Sequence, residues 1–202
     1  MLLAFHKPYG VLSSFRPDGS ANRTLAEFGF PPNVYAIGRL DADSEGLLLL
    51  TDERELPDKI LPPERAHRRT YVVQVEGEPT PEALAELRKG VVVRGERTRP
   101  CSAQAIEPRP DIPERIPPIR VRKSIPDTWI SITLTEGKNR QVRRMTAAIG
   151  YPTLRLMRFS IGEYTLGDLA PGSWKELTRA ERDLVLSSAG GSSTPGKGTR
   201  TR

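Results

Sequence analysis

The chain has 202 residues, 37% of them hydrophobic, which is enough to bury the core of one domain or of one domain made of two lobes. Its longest aliphatic run, residues 47–50, is far shorter than the roughly 20 residues that span a bilayer, and Pro8 and Gly10 interrupt its apolar start, so we expect neither a membrane protein nor a secreted one. The single cysteine, Cys101, excludes an internal disulfide, and the reducing cytoplasm is the expected compartment.

Basic residues are concentrated in one part of the chain. Lys and Arg number 31 against 25 Asp and Glu, a net charge of +6. Residues 115–158 hold ten basic and only two acidic side chains, so the rest of the chain is slightly acidic. This uneven distribution indicates a phosphate-binding face, whereas for any single arginine an ordinary solvated surface remains the alternative.

The first half of the chain predicts strands on both sides of a polar loop. Apolar runs and alternation predict strands at residues 2–6, 35–37, 47–51 and 71–76, and a short helix is predicted at 24–28. The loop at 38–46 carries several carboxylates and is bounded by glycines. Thr80 and Pro81 predict the start of a helix that ends at Gly90.

The second half predicts further strands and two helices. The predicted strands are residues 91–93, 129–134, 154–160 and 164–166. One helix is predicted at 140–149, with its arginines and its apolar residues on opposite faces, and Thr178 with Glu181 forms a capping box for a last helix. The proline-rich residues 108–126 predict an extended basic loop, and 187–202 predict a disordered basic tail.

Strands outnumber helices and do not alternate with them regularly. This order predicts an α+β fold with a mixed, mainly antiparallel sheet rather than a doubly wound parallel one. We expect one unit of two lobes over residues 1–186.

Three carboxylates stand close together in the polar loop, at Asp41, Asp43 and Glu45. With Gly46 and Asp52 they approximate a calcium-binding EF-hand loop. Against calcium, four leucines fill the second half of the segment and a strand pattern, not a helix, precedes it. A second alternative is that the acids merely cap a turn.

Four segments in order resemble RNA pseudouridine synthases of the branch that modifies small- and large-subunit ribosomal RNA. Residues 38–51, Gly-Arg-Leu-Asp-Ala-Asp-Ser-Glu-Gly-Leu-Leu-Leu-Leu-Thr, resemble the active-site motif of that family. The other three are Lys-Pro-Tyr-Gly-Val at 7–11, Thr-Tyr-Val-Val-Gln-Val at 70–75 and Glu-Gly-Lys-Asn-Arg-Gln-Val-Arg-Arg-Met at 136–145. Residues 117–120 and 122–126 are similar, more narrowly, to the type E group, which acts on 23S RNA.

The resemblance implies an isomerase that converts a specific uridine of 23S ribosomal RNA to pseudouridine without a cofactor or a metal. Asp41 is then the catalytic carboxylate, acting as a nucleophile or as a base, and these routes remain open. An ionised Asp needs a neighbouring cation, for which Arg143 is the first candidate and Lys138 the second. Alternatives are another ribosomal RNA site, or a non-catalytic RNA-binding protein.

The resemblance also implies how RNA is held. A base within a stem must be flipped out to be reached, and Tyr71 corresponds to the residue on which the flipped uracil stacks. By position, Arg39 is expected to fill the gap that the base leaves. Arg140, Arg144, Arg120 and Lys123 are expected to bind RNA phosphates. Many members of the family carry a small N-terminal RNA-binding domain, whereas here the catalytic pattern starts at residue 2, so we expect residues 1–186 to be the catalytic domain without a separate one. We expect a monomer whose two lobes enclose an RNA cleft, with ribosomal RNA as the partner and no membrane attachment.

Overall fold

The computed structural model describes residues 1–119 and 125–187. Within them, the strands are β1 (Leu2–Lys7), β2 (Tyr35–Ile37), β3 (Glu45–Thr51), β4 (Arg69–Glu76), β5 (Val92–Val93), β6 (Glu96–Arg97), β7 (Ser102–Ala105), β8 (Asp127–Leu134), β9 (Thr153–Ile161), β10 (Tyr164–Thr165) and β11 (Trp174–Glu176). The helices are α1 (Leu56–Ile60), α2 (Pro81–Lys89), α3 (Gln141–Ala148) and α4 (Arg179–Leu186), with 3-10 turns at Leu25–Phe28 and Pro63–Arg65.

One large mixed sheet organises the described residues. Its strand order is β11-β1-β3-β9-β4-β8-β7, with β2 also paired to β3 and β10 to β9. β3 and β9 run parallel where Glu45 and Gly46 pair with Met157 and Arg158, and the other strand pairs of this sheet are antiparallel. The predicted α+β class is confirmed, and the short β3–β9 contact joins the two halves of the sheet.

Both faces of the sheet are covered, which explains the unbroken run of leucines in β3. Leu48 and Leu50 pack into one buried cluster, and Leu47 and Leu49 pack into another on the opposite face. Successive side chains of a strand point to opposite faces, so a strand that is buried on both sides is apolar at every position. β3 is therefore fixed in register at the centre of the molecule.

The predicted strands and helices are present, with ends displaced by at most two residues. The structure adds α1, β6, β7 and β11, which the sequence pattern did not predict. β7 is short and mostly exposed, and β11 is half-buried or exposed, so neither shows the apolar alternation of a strand.

The proline-rich segment is irregular where it is described, at residues 108–119 and 125–126. Arg120, Lys123 and residues 188–202 of the expected tail lie outside the described residues. In the part of the chain that is described, no helix is long and apolar enough to cross a bilayer.

Candidate active site

A cavity of about 430 Å³ opens beside the carboxylate loop. Its wall is formed by residues 38–41 of that loop, by residues 136–142 leading into α3, and by side chains of β4 and β9. Asp41 and Tyr71, which lie 30 positions apart in the chain, therefore line one space. A cavity of this size admits a single nucleotide rather than a duplex.

The loop that carries Asp41 is held by the N-terminal segment. The amide of Gly10 donates to the carbonyl of Ala42 at 2.7 Å, and the Ser13 hydroxyl exchanges two hydrogen bonds with the main chain of Leu40, at 2.8 and 3.0 Å. Within the loop, the Ser44 amide donates to the Asp41 carbonyl at 3.0 Å. The Lys-Pro-Tyr-Gly motif and the residues that follow it thus hold the backbone of the acidic loop.

Arginines at the start of α3 face this loop. The Arg140 guanidinium lies 3.6 Å from the Asp41 carboxylate and donates two hydrogen bonds to Asp43, at 3.0 and 2.8 Å. Arg143 donates to the main-chain oxygen of Asp43 at 2.6 Å, and its Nε lies 3.4 Å from the Asp43 carboxylate. Two cations therefore bridge the basic helix to the acidic loop.

Burial and the neighbouring charges shift the pKa values of residues in this cluster. Partial burial tends to raise the pKa of Asp43, but the hydrogen bond from Arg140 and the charges of Arg143 and Arg140 outweigh it and lower that pKa. Burial lowers the pKa of Arg143, while Asp43 and Asp41 oppose that change. Asp43 is thus held as a carboxylate between two guanidinium groups.

The two candidate partners of Asp41 have other contacts in this structure. Arg143 pairs with Asp43, and the Lys138 ammonium donates to Glu96 at 2.6 Å, although Lys138 also lines the cavity. Among the described residues, the cation in ion-pair distance of Asp41 is Arg140, which sequence reasoning assigned to RNA phosphates.

The remaining predicted site residues occupy different surroundings. Tyr71 is 9% exposed on β4 and faces the cavity, and the exposed Arg39 lies at the rim beside Asp41. Arg144 is turned toward Asn139, donating to its side-chain oxygen at 2.7 Å and to its main-chain carbonyl. The predicted phosphate ligands Arg120 and Lys123 lie outside the described residues.

Several cavity residues escaped sequence reasoning. Arg69 and Arg158 line the cavity from β4 and β9, although both are buried. Their position within apolar strands could have identified them, because arginine in a buried strand is rare unless it is paired or functional.

A polar network shapes the turn ahead of α3. Glu136 is buried, and its carboxylate accepts from the Gln141 amide at 2.6 Å and from the Arg99 main chain at 2.9 Å. The Gln141 side-chain oxygen accepts from the Lys138 amide at 2.9 Å. Arg140 adopts a left-handed backbone conformation, with φ of 50°, which turns its side chain out of the helix start.

Lys7 is buried directly beneath the acidic loop. Its ammonium donates to the carbonyls of Val11 at 2.7 Å and Pro8 at 3.1 Å. Burial lowers the pKa of Lys7 to about 7, although the carboxylates of Glu45, Asp43 and Asp41 oppose that change.

The geometry disfavours a calcium loop. Glu45 lies inside β3, where Arg155 binds its carboxylate with two hydrogen bonds of 2.8 Å, and Asp43 is bound by Arg140. The loop carboxylates therefore diverge, and the described residues contain no group of three or more His, Cys, Asp or Glu side chains able to hold a metal ion.

Comparison with known proteins agrees with this geometry. Residues 1–148 match the family described as RNA pseudouridylate synthase. A "Ribosomal large subunit pseudouridine synthase E" of Xanthomonas campestris pv. campestris is 52% identical over 176 residues, covering 87% of this chain and 94% of that protein. The protein of the same name from Vibrio parahaemolyticus is 51% identical over 176 residues, covering 87% of this chain and 73% of its own length.

A solved structure described as "Crystal structure of pseudouridylate synthase" superposes with a TM-score of 0.73 at 27% identity, covering 91% of this chain and 73% of that one. The fold, the sequence match and the order of the motifs agree with one another. The chain therefore belongs to the RNA pseudouridylate synthase family.

Proposed function

We propose that the protein isomerises one uridine of large-subunit (23S) ribosomal RNA to pseudouridine, with Asp41 as the catalytic carboxylate. The observation that carries the proposal is that Asp41 and Tyr71 line one cavity, with a row of arginines at its mouth. The printed names of the relatives that match most of the chain support the large-subunit substrate.

The reaction breaks the bond between N1 of uracil and C1′ of the ribose and forms a bond from C5 to C1′. C5 loses a proton and N1 gains one, so no atom or electron is consumed overall. A carboxylate that attacks the sugar or the base, or that removes a ribose proton, satisfies this balance. Asp41 lies in a loop held by hydrogen bonds, as positioning of a reacting group requires.

Tyr71 is proposed to hold the flipped base. Its ring belongs to a strand whose neighbours are buried, so it presents a fixed planar surface to the cavity. The Tyr71 hydroxyl is also a candidate for assisting proton removal from C5. A base stacked here enters the same space as the Asp41 carboxylate.

In this proposal, Arg143 and Arg140 have different roles. Arg143 is 14% exposed and supports the negative charge of the loop, and Arg140 is 41% exposed and is able to reach RNA phosphate as well as Asp41. Arg39, Lys138 and Arg144 extend the basic surface around the opening, and Arg120 and Lys123 complete the set of proposed phosphate ligands. Ribosomal RNA bound by a monomer in the cytoplasm is the setting that we propose.

A non-catalytic RNA-binding protein is the second candidate from the sequence. Binding RNA requires the arginines, but it gains nothing from a carboxylate directed toward a polyanion. Asp41, 31% exposed at the cavity, therefore favours the enzyme.

The test is mass-spectrometric mapping of pseudouridine in 23S and 16S RNA transcripts incubated with the wild-type protein and with Asp41→Asn. Asp18→Asn, an exposed turn residue, is the matched control. We expect one new pseudouridine in 23S RNA with the wild type and the control, and none with Asp41→Asn. Product in 16S RNA alone would change the substrate, and product with Asp41→Asn would remove the catalytic role of Asp41.

A further inference from the structure

Two buried arginines line the active-site cavity without an acidic partner. Arg69 and Arg158 are 7% and 5% exposed. Arg69 donates to the main-chain carbonyls of Ile60 at 3.0 Å and His67 at 3.4 Å, and Arg158 donates from Nε to the carbonyl of Leu47 at 2.7 Å. Among the described residues, no carboxylate forms an ion pair with either arginine.

The positive charge at this end of the cavity is therefore not neutralised. Burial lowers the pKa of Arg69, the phenol of Tyr71 opposes that change, and the charge of Arg158 lowers the pKa further. The two guanidinium groups and the Tyr71 ring thus influence one another across β4 and β9. Burying two like charges without a counter-ion is costly. A ligand with negative charge or acceptor atoms would offset part of that cost.

One nitrogen of the Arg158 guanidinium donates no hydrogen bond to the described residues. Its Nη2 is buried and has no hydrogen-bond partner in the part of the chain that is described. Buried nitrogens without a partner are rare in folded proteins, so this one beside the cavity is a donor available to a ligand or a water molecule.

The register of the sheet brings Arg158 next to Tyr71. The two residues are partners across the antiparallel pair of β4 and β9, beside an irregularity in the register at Thr70 and Tyr71. Side chains of directly opposed residues lie on the same face of a sheet, with Cβ atoms about 5 Å apart. A uracil stacked on Tyr71 therefore has one edge within reach of the Arg158 guanidinium.

We propose that Arg158 is a further catalytic residue, whose guanidinium binds a carbonyl oxygen of the flipped uracil and stabilises the negative charge that the base acquires during the reaction. The inference rests on the proposed function and names a new group for the same site. When the N1–C1′ bond breaks, its electron pair leaves with the uracil and spreads over N1, O2 and O4. The pair that then forms the C5–C1′ bond comes from the base, after which C5 loses its proton and N1 gains one.

Bound at O4, the same contact also selects the base. A guanidinium has only donors, so it binds the O4 carbonyl of uracil but offers nothing to the amino group that cytosine carries at that position. Fixed donors aimed at developing charge in a site that excludes water lower a reaction barrier more than the same donors do in water.

The experiment compares single-turnover rates of the wild type and Arg158→Gln on the 23S RNA fragment that carries the mapped uridine. The matched control is Arg88→Gln, because Arg88 also donates from Nε to a main-chain carbonyl, that of Ala103 at 2.8 Å, outside the lining of the cavity. We expect Arg158→Gln to lose about 100-fold in rate, the effect of removing one oxyanion donor, with RNA affinity within threefold of the wild type. The control is expected to keep the wild-type rate.

A second arm changes the RNA instead of the protein. Fragments carrying 2-thiouridine or 4-thiouridine at the target replace one carbonyl oxygen by sulfur, a poorer acceptor. We expect the wild type to be slowed by sulfur at one of the two positions and Arg158→Gln to be slowed much less by the same change. Arg158→Lys, which keeps the charge, takes the place of Arg158→Gln in this comparison if the latter does not fold.

The experiment distinguishes a failure of this inference from a failure of the proposed function. A rate for folded Arg158→Gln within threefold of the wild type overturns the inference and leaves the proposed function standing. A slow variant with the same response to sulfur as the wild type at both positions also overturns it, because the arginine would then act on the fold alone. A wild-type protein that forms no pseudouridine in any ribosomal RNA overturns both.

Discussion

The carboxylate of Asp43 accepts two hydrogen bonds from the guanidinium of Arg140, at 3.0 and 2.8 Å. Asp43 also lies 3.4 Å from Arg143, so one carboxylate that is not the catalytic candidate holds both cations. Arg140 in turn reaches Asp41 at 3.6 Å. We therefore expect Asp43 to be a positioning residue, which acts on Asp41 through Arg140.

We expect Asp43→Asn to lower the single-turnover rate about tenfold, since two arginines lose their charged anchor, and to leave RNA affinity unchanged or raised, because one negative charge near a polyanion is removed. Measuring the rate and the dissociation constant separately checks both parts. The lowered pKa of Asp43 means that its contribution to stability is present above its unfolded pKa and is lost as the pH falls through its folded pKa. An unchanged rate would show that Arg140 and Arg143 are held without Asp43.

Gly46 lies where β3 meets β9, and its φ of 99° and its surroundings both require glycine. A Cβ at this position would lie 2.3 Å from the main-chain oxygen of Arg158. Gly150 has a similar φ of 89° but open space around it, which makes Gly150→Ala the matched control. We expect Gly46→Ala to lower the free energy of unfolding by about 2 to 4 kcal/mol more than the control does, measured by urea unfolding. Equal losses would mean that β9 shifts freely away from β3.

The buried pair of Glu45 and Arg155 joins the two halves of the sheet, and each side chain is 6% exposed. Glu45→Gln leaves the buried guanidinium without its counter-ion and is expected to cost about 3 kcal/mol or more of unfolding free energy. Replacing both residues by methionine is expected to cost less than Glu45→Gln alone, because no charge is then left unpaired. Glu96→Gln, which breaks an exposed pair with Lys138, is the control and is expected to have a far smaller effect. A double variant less stable than Glu45→Gln would contradict this account.

Lys7 predicts a specific dependence of stability on pH. Its pKa is about 7 in the folded protein, against roughly 10.4 when unfolded. Between these values the unfolded chain binds more protons at this position than the folded one, so the free energy of unfolding rises with pH, by at most about 1.4 kcal/mol per pH unit. Below pH 7 the cost of burying the charge is fully present and constant.

The measurement compares urea unfolding of the wild type and of Lys7→Met at pH 6, 7, 8 and 9. We expect the wild type to gain stability relative to Lys7→Met as the pH rises above 7. Below pH 7 the difference in the free energy of unfolding between the two proteins is expected to stay constant. Parallel behaviour at every pH would show that Lys7 keeps its ordinary pKa in the fold.

Local patterns predicted most of the sheet, because strands such as β4 and β8 show alternation and β3 is continuously apolar. They did not predict β7 and β11, which are strands because a neighbouring strand offers hydrogen bonds to a short polar segment. They also missed that Arg69 and Arg158 line the cavity, because burial of an arginine depends on what the rest of the chain packs around it. The loop predicted at residues 108–126 contains no helix or strand in its described part, residues 108–119 and 125–126.

The sequence by itself determined the family, since four motifs with the required residues and order are properties of the chain alone. It also determined that Asp41 lies in a loop bounded by glycines ahead of a buried strand. Only the tertiary structure decided which cation faces which carboxylate, because Arg140 and Asp43 are 97 residues apart and a long side chain takes its direction from packing. The unpartnered guanidinium of Arg158 beside Tyr71 depends in the same way on the register of two strands, which no short motif specifies.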